Sequence, residues 1–389
     1  MVQRLKNIDY LLFIPFLILS VFGIIMVYSS SSNVAVQNGS SPTGYLIKQT
    51  MYVILGIFIL YIMNFVRLSV FKSKSMLTFS MGIMAFLLVF VKFFGSSVNG
   101  ANGWINLGFI NLQPAEFVKF FLIIYLSSYI SNASRNIANV GVIDGIKNSG
   151  KPLLISFGLI GLVLIEPDTG GAAISLFIVM MIFLGSGALN FKKSVTILLS
   201  VIGSAYFIIF PLINHGILFK GKYQAQRIVA FMDPFKYLHQ SGQQLVNSYY
   251  AISNGGLFGV GLGNSIQKTG YLPEPNTDFI MAIATEELGM IFVTFILALL
   301  FFIILRCLII GIRSNDISNT CACYGVAAYL FIQSMFNFGG VTGFLPITGV
   351  AFPFISYGGS SMIVLTLSLG LVMNISRRQK KSKQIEKSR

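Results

Sequence analysis

The sequence predicts an all-α polytopic membrane protein of about ten transmembrane helices. Both termini are expected in the cytoplasm, with a large extracellular loop between helices 7 and 8. Three observations carry this expectation. Of 389 residues, 55% are hydrophobic and 10% charged, against roughly 25% charged in an ordinary soluble chain. The charges fall in short stretches between apolar runs of roughly 18–22 residues, the length that crosses a ~30 Å hydrocarbon core. Lys and Arg are also distributed unequally between alternate connections, as the positive-inside rule requires.

The apolar runs lie near 10–28, 47–66, 76–95, 114–131, 153–166, 170–188, 194–213, 279–305, 318–337 and 353–374, the fifth short and the eighth long. The first follows Arg4 and Lys6 with no small-residue cleavage site after it, so it reads as a retained helix. With the N-terminus inside, the inner connections hold Arg4, Lys6, Arg67, Lys72, Lys74, Arg135, Lys147, Lys151, Lys192, Lys193, Arg306 and Arg313. The tail, residues 376–389, holds seven more, which brings the inner total to nineteen of 27 basic residues. The outer connections between runs 1–2, 3–4, 5–6 and 9–10 hold at most Lys48. The net charge of +15 therefore reports topology and an anionic inner leaflet, not nucleic acid. Residues 1–375 form one transmembrane domain in this reading.

Residues 214–278 lie outside by parity yet carry Lys220, Lys222, Arg227, Lys236 and Lys268. Long loops escape the charge rule. Two semi-apolar pieces, 227–235 and 244–252, look like interfacial helices. The run Gly255-Gly-Leu-Phe-Gly-Val-Gly-Leu-Gly263 permits close backbone approach to a ligand or to another helix. Next comes Tyr271-Leu-Pro-Glu-Pro-Asn-Thr-Asp-Phe-Ile280, continuing to Glu286-Glu287-Leu288-Gly289. It places Asp278 where a proline-stiffened loop rejoins an apolar segment. Two readings fit: a helix N-cap favoured by the helix dipole, or a functional carboxylate, since an ionisable group at a membrane boundary is costly unless paired or used.

Elsewhere, Glu116 and Lys119 are three apart on one face near the outer end of the fourth run, as a structural ion pair or as part of a site. Lys92 is expected to snorkel to the headgroups. Glu166-Pro-Asp-Thr-Gly-Gly171 makes a tight outer turn whose acids cap the next helix. The sole tryptophan, Trp104, lies in a glycine-flanked loop and serves as an interfacial anchor or a contact. The stretch from Gly343 to Ser361 is too rich in Gly and Pro for a simple span and is expected as re-entrant or unwound backbone. Cys307, Cys321 and Cys323 are expected to be reduced and packed. His215 and His239 lack a metal-ligand pattern. No phosphate-binding P-loop occurs, which argues against an ATP-driven pump.

Several of these motifs together resemble the SEDS (shape, elongation, division and sporulation) family. They are Gln113-Pro-Ala-Glu116, Arg227 with Phe231-Met-Asp-Pro234, Leu272-Pro-Glu-Pro-Asn-Thr-Asp-Phe279, Glu286-Glu287-Leu288-Gly289, and Pro346-Ile-Thr-Gly349 with Pro353-Phe-Ile-Ser-Tyr-Gly-Gly-Ser-Ser361. They occur in family order along all ten runs and resemble the cell-division branch more than the elongation branch. Asn276 and Ala115 depart from the residues frequent at their positions, without removing a carboxylate. The resemblance implies a peptidoglycan glycosyltransferase that polymerises lipid II on the outer face of the bacterial plasma membrane, with a class B penicillin-binding protein and other division proteins as partners. It maps the family's essential aspartate onto Asp278, as general base for a sugar hydroxyl. The departing pyrophosphate needs positive charge, from Arg227, Lys220, Lys222 and Lys268 or from a divalent cation, Mg or Mn. Trp104, Glu116, Lys119, Ser356 and Ser360 complete the expected substrate site. A lipid II flippase and a non-catalytic division scaffold are the rival readings.

Overall fold

The computed structural model describes residues 8–37, 39, 41–98, 101–106, 108, 111–134, 142–186, 191–204, 223–238 and 242–387. Along the chain run α1 (Tyr10–Ser30), α2 (Ser32–Gln37), α3 (Pro42–Met63), α4 (Leu68–Phe71) and α5 (Lys74–Phe94), then strands β1 (Ser96–Val98), β2 (Ala101–Asn106) and β3 (Asn111–Leu112). There follow α6 (Pro114–Ser134), α7 (Val142–Ile165), α8 (Thr169–Gly185), α9 (Phe191–Ser204), α10 (Tyr223–Met232), α11 (Gln243–Gly255), α12 (Ile280–Ile312), α13 (Ile317–Thr342) and α14 (Gly359–Lys387). A helix meets each of the ten expected runs. Among the described residues, six are long and apolar enough to cross a membrane: α1, α3, α5, α12, α13 and, as far as Ser382, α14. The chain is a multi-pass membrane protein.

Its surface agrees with that reading. Phe79, Phe86, Phe93 and Phe94 of α5 are each two-thirds or more exposed, an apolar face suited to lipid tails and not to water. The interior is built on the α12–α13 pair, with α13 also packed on α6 and α8, and α14 on α3. Lipid gives no hydrophobic reward for burying a helix face, so close backbone approach and internal polar ties do the work. A Cβ on Gly23 would meet the Ile355 backbone at 2.8 Å, so only glycine admits this crossing. At the end of the fold away from Asp278, Asp9 pairs with Arg306 at 2.8 Å and Asn374 donates to the Met63 and Val66 carbonyls at 2.7 Å.

Four expectations change. The fifth helix starts at Val142, not near 153, because a polar first stretch extends it, with Pro152 tolerated inside. The last helix starts at Gly359, not near 353, because residues 352–358 turn, with Phe354 at φ 63°. That helix then runs on to Lys387, so most of the basic tail continues it. Lys92 does not merely snorkel: its Nζ donates to the Ile165 carbonyl at the end of α7, at 3.0 Å.

The glycine-rich run approaches a helix. Gly289 has φ 83° and ψ 166°, a break inside α12, and residues 256–261 lie along it. Val260 N and Gly261 N donate to the Glu286 and Glu287 carbonyls at 3.0 and 2.9 Å, and Met290 N and Ile291 N donate to Gly256 and Leu257 at 3.0 and 3.3 Å. A Cβ on Gly289 would stand 2.3 Å from the Leu257 carbonyl oxygen. The backbone groups freed by the break are thus satisfied by a second segment, as buried backbone must be.

Candidate active site

The ends of several elements enclose a cavity of about 310 Å³. Its wall includes Trp104, Gln113, Glu116, Asp168, Arg227, Glu274, Asp278, Gly349 and Ser360. The helices α6, α8 and α14 all begin at this wall, so the positive ends of three helix dipoles face one space.

Asp278 comes from the turn before α12. It is not that helix's N-cap, a place taken by Phe279 with no side-chain capping bond. Pro273 and Pro275 stiffen the turn, and its carbonyls are held by other segments: Ser356 Oγ donates to Thr277 O at 2.6 Å, Tyr357 N to Asn276 O at 2.9 Å, and Asn337 Nδ2 to Asp278 O at 2.8 Å. Burial pushes the Asp278 carboxyl up to about 6, and the Arg227 guanidinium opposes that rise. Arg227 reaches in from α10 and donates through Nη1 to Ile347 O at 3.4 Å. The two charges flank one glycine: a Cβ on Gly349 (φ 74°) would stand 3.0 Å from Arg227 Nη1 and 3.4 Å from Asp278 Oδ2.

Opposite lie the hairpin and α6. β1 pairs antiparallel with β2, Ser96 opposite Trp104, and β2 with β3, Ile105 opposite Leu112. Ser360 Oγ ties this hairpin to α14 by donating to Asn111 O at 2.8 Å and accepting from Gln113 N at 3.0 Å. Glu116 accepts from Lys119 Nζ at 2.5 Å and from the Tyr329 hydroxyl at 3.1 Å.

The structure sorts the expected residues. Asp278, Arg227, Trp104, Glu116 and Ser360 share the cavity wall. Lys119 is fully buried behind it and holds Glu116. Ser356 lies behind the Asp278 turn and acts on its backbone; besides donating to Thr277 O, its Oγ accepts from Phe352 N at 2.7 Å. Lys268 is a correction. It is absent from the wall and buried, with Nζ 2.6 Å from Glu287 Oε1 and 2.9 Å from Ser29 Oγ, so its charge is already neutralised. Lys220, Lys222, His215 and His239 lie outside the described residues.

Asp168, Gln113 and Glu274 enter the site without having been singled out for it. Asp168 does cap α8, its Oδ1 accepting from Gly171 N at 2.7 Å, while its Oδ2 accepts from Gln113 Nε2 at 3.2 Å. The proline-flanked acids at 166–168 and 274 were the available signal. Glu166 is buried beside them, and burial, then repulsion from Asp168, pushes its carboxyl up to about 8. Among the described residues no three acidic, histidine or cysteine side chains converge as a metal cage.

A family model described as a cell cycle protein, FtsW/RodA/SpoVE, matches residues 9–381. The chain belongs to the FtsW/RodA/SpoVE family. It is 38% identical to a probable peptidoglycan glycosyltransferase FtsW of Bacillus subtilis, over 99% of this chain and 94% of that one. It is 33% identical to stage V sporulation protein E of the same organism, over 97% and 99%. Two solved structures share the fold of this FtsW/RodA/SpoVE member. A chain of a peptidoglycan synthase complex superposes with a TM-score of 0.75 at 24% identity, covering 96% of this chain and 98% of that one. Thermus thermophilus RodA superposes with a TM-score of 0.65 at 23% identity, covering 96% and 97%.

Proposed function

We propose that this protein is a peptidoglycan glycosyltransferase that polymerises lipid II at the outer face of the plasma membrane during division. The single observation that carries the proposal is the carboxylate of Asp278 and the guanidinium of Arg227 set on either side of Gly349 in the wall of a polar cavity. The 4-hydroxyl of one GlcNAc gives its proton to Asp278 as its oxygen attacks the anomeric carbon of a MurNAc. A sugar hydroxyl is a weak nucleophile near neutral pH, so a base raised to about 6 is well matched to the task. The bond from that carbon to the pyrophosphate oxygen breaks, and undecaprenyl pyrophosphate leaves with the electron pair. Arg227 meets the growing negative charge; a guanidinium binds phosphate oxygens through two parallel donors. Attack opposite the leaving group inverts the anomeric centre. A divalent cation, Mg or Mn, would add positive charge at the pyrophosphate beside Arg227.

The names of the relatives support this reading, as does the synthase complex whose chain shares the fold. A class B penicillin-binding protein is the proposed crosslinking partner and the division septum the proposed location. The test is polymerisation of lipid II by purified protein, with and without that partner. Asp278→Asn keeps the shape of the turn and is expected to abolish polymer formation while the protein remains inserted and folded. Near-normal polymer from this variant refutes the assignment.

A further inference from the structure

We propose that Asn337, one turn from Gln333 on α13, is a positioning residue that fixes the Asp278 turn against the segment carrying Gly349. The proposal rests on the reading of Asp278 as the base.

Residues 345–353 have no regular secondary structure, yet Ile347, Val350 and Phe352 among them are buried. Neither a helix nor a sheet ladder satisfies their carbonyls, so partners must come from elsewhere. Arg227 supplies one at Ile347 O, and two side-chain amides supply those at Val350 and Ala351. Gln333 Nε2 donates to Ala351 O at 2.8 Å and reaches Ser361 Oγ at 3.3 Å. Asn337 Nδ2 donates to Val350 O and to Asp278 O, each at 2.8 Å. Spaced four apart, the two amides lie on one face of the helix, one above the other. They are 1% and 4% exposed, so water does not compete for these bonds.

The two differ in what they connect. Gln333 ties the Gly349 segment to the start of α14. Asn337 uses both hydrogens of one nitrogen to join that segment to the residue that carries the carboxylate. Two 2.8 Å bonds to a single atom keep the carbonyl oxygens of Asp278 and Val350 within twice that distance. Gly349 immediately precedes Val350, and the Arg227 guanidinium lies against it. Asn337 therefore sets the separation between the group that takes the proton and the group that receives the leaving pyrophosphate, without touching substrate.

The experiment compares Asn337→Leu with Gln333→Leu in the purified full-length protein. Each removes two buried donor contacts from the same helix face, but only the first touches the Asp278 turn. Misplacement of a reacting group by about 1 Å costs about 10²-fold, and that fall in kcat is expected for Asn337→Leu. KM for lipid II should stay within about threefold, the pattern of an interaction felt in the transition state alone. Lipid II binding is followed independently through Trp104, the sole tryptophan, which lines the cavity. Gln333→Leu should lose far less kcat at a similar melting temperature. If Asn337→Leu does not fold, Asn337→Ser, which leaves room for water at the two carbonyls, takes its place. Parental kcat in a folded Asn337 variant overturns the inference. So does a kcat that falls equally in the Gln333 and Asn337 variants in step with melting temperature. Polymer made by Asp278→Asn instead overturns the reading of the base, a separate outcome.

Discussion

Lys268 offers a direct contest between a substrate contact and a structural one. Charge pattern placed it among the cations of the outer loop; the structure buries it against Glu287, which is fully buried too. At 2.6 Å the pair has a gross attraction of about 6 kcal/mol at an effective dielectric near 20. Desolvation of two ions offsets most of this, so the intact pair contributes little net stability. Lys268→Met is another matter: it strands a buried carboxylate with Ser29, whose Oγ lies 2.8 Å from both Glu287 oxygens, as its remaining side-chain partner. Breaking a buried pair in this way costs about 3–5 kcal/mol. Thermal unfolding in nanodiscs should show a loss on the order of 4–6 °C, given about 1.2 °C per kcal/mol for a chain of 389 residues. Lys268→Met combined with Glu287→Gln should recover most of the loss, because no charge is then left unpaired. KM for lipid II, measured on the folded fraction, should not change. A single variant that melts like the parent but has a several-fold higher KM would show Lys268 facing substrate and refute the assignment.

Three further outcomes follow from the site. Asp278 works as a base only when ionised, so kcat/KM should fall as pH drops through about 6, and a profile flat down to pH 5 would exclude it as the titrating base. Glu166 binds a proton in the folded state up to about pH 8, whereas its ordinary value is 4.5; its contribution to stability therefore declines as pH rises from about 4.5 to about 8 and levels off above. Glu166→Gln should remove that decline, leaving the variant more stable than the parent at pH 8.5 by thermal unfolding; identical pH–stability curves would contradict the burial of an unpaired carboxyl. Arg227→Ala should weaken use of lipid II about 10²-fold in kcat/KM, with Arg227→Lys recovering part, since an ammonium supplies charge but not two parallel donors; parental kinetics in both would remove Arg227 from the anion site.

The sequence made the helical architecture legible because lipid imposes a length and an apolar composition on every span, and both can be counted. It made Asp278 legible because a carboxylate between prolines at the start of an apolar run has few inexpensive places to go. Lys268 departs from its pattern for a physical reason: parity puts a charge on one side of the membrane but does not say whether it faces water or a buried acid. Its partner Ser29 is 239 residues away, a pairing no local pattern contains. Asp168 is legible only in part, since its capping role is local while its bond to Gln113 is set by how α6 and α8 pack. Gln333 and Asn337 carry no signal, because uncharged polar residues scattered along a largely apolar helix read as tolerated until their acceptors are known.

The paired backbone at the Gly289 break closes the chain from Gly256 to Ile291 on itself. The ring is secured at its base by four main-chain bonds, and by Glu286, which accepts from Asn254 Nδ2 at 2.8 Å, from Ile266 N at 3.1 Å and from Ser265 Oγ. Asp278 rides inside this ring, near its far side. A pull or a length change in the chain ahead of Gly256 therefore meets the clasp before it meets the aspartate. Loop-closure entropy rises slowly with length, so the chain ahead of Gly256 can gain or lose residues at small thermodynamic cost while the aspartate keeps its place. The same clasp makes the ring the natural unit to move between relatives: grafted from Gly256 through Ile291, it carries its own anchor, whereas a graft that stops between Gly261 and Glu286 cuts it.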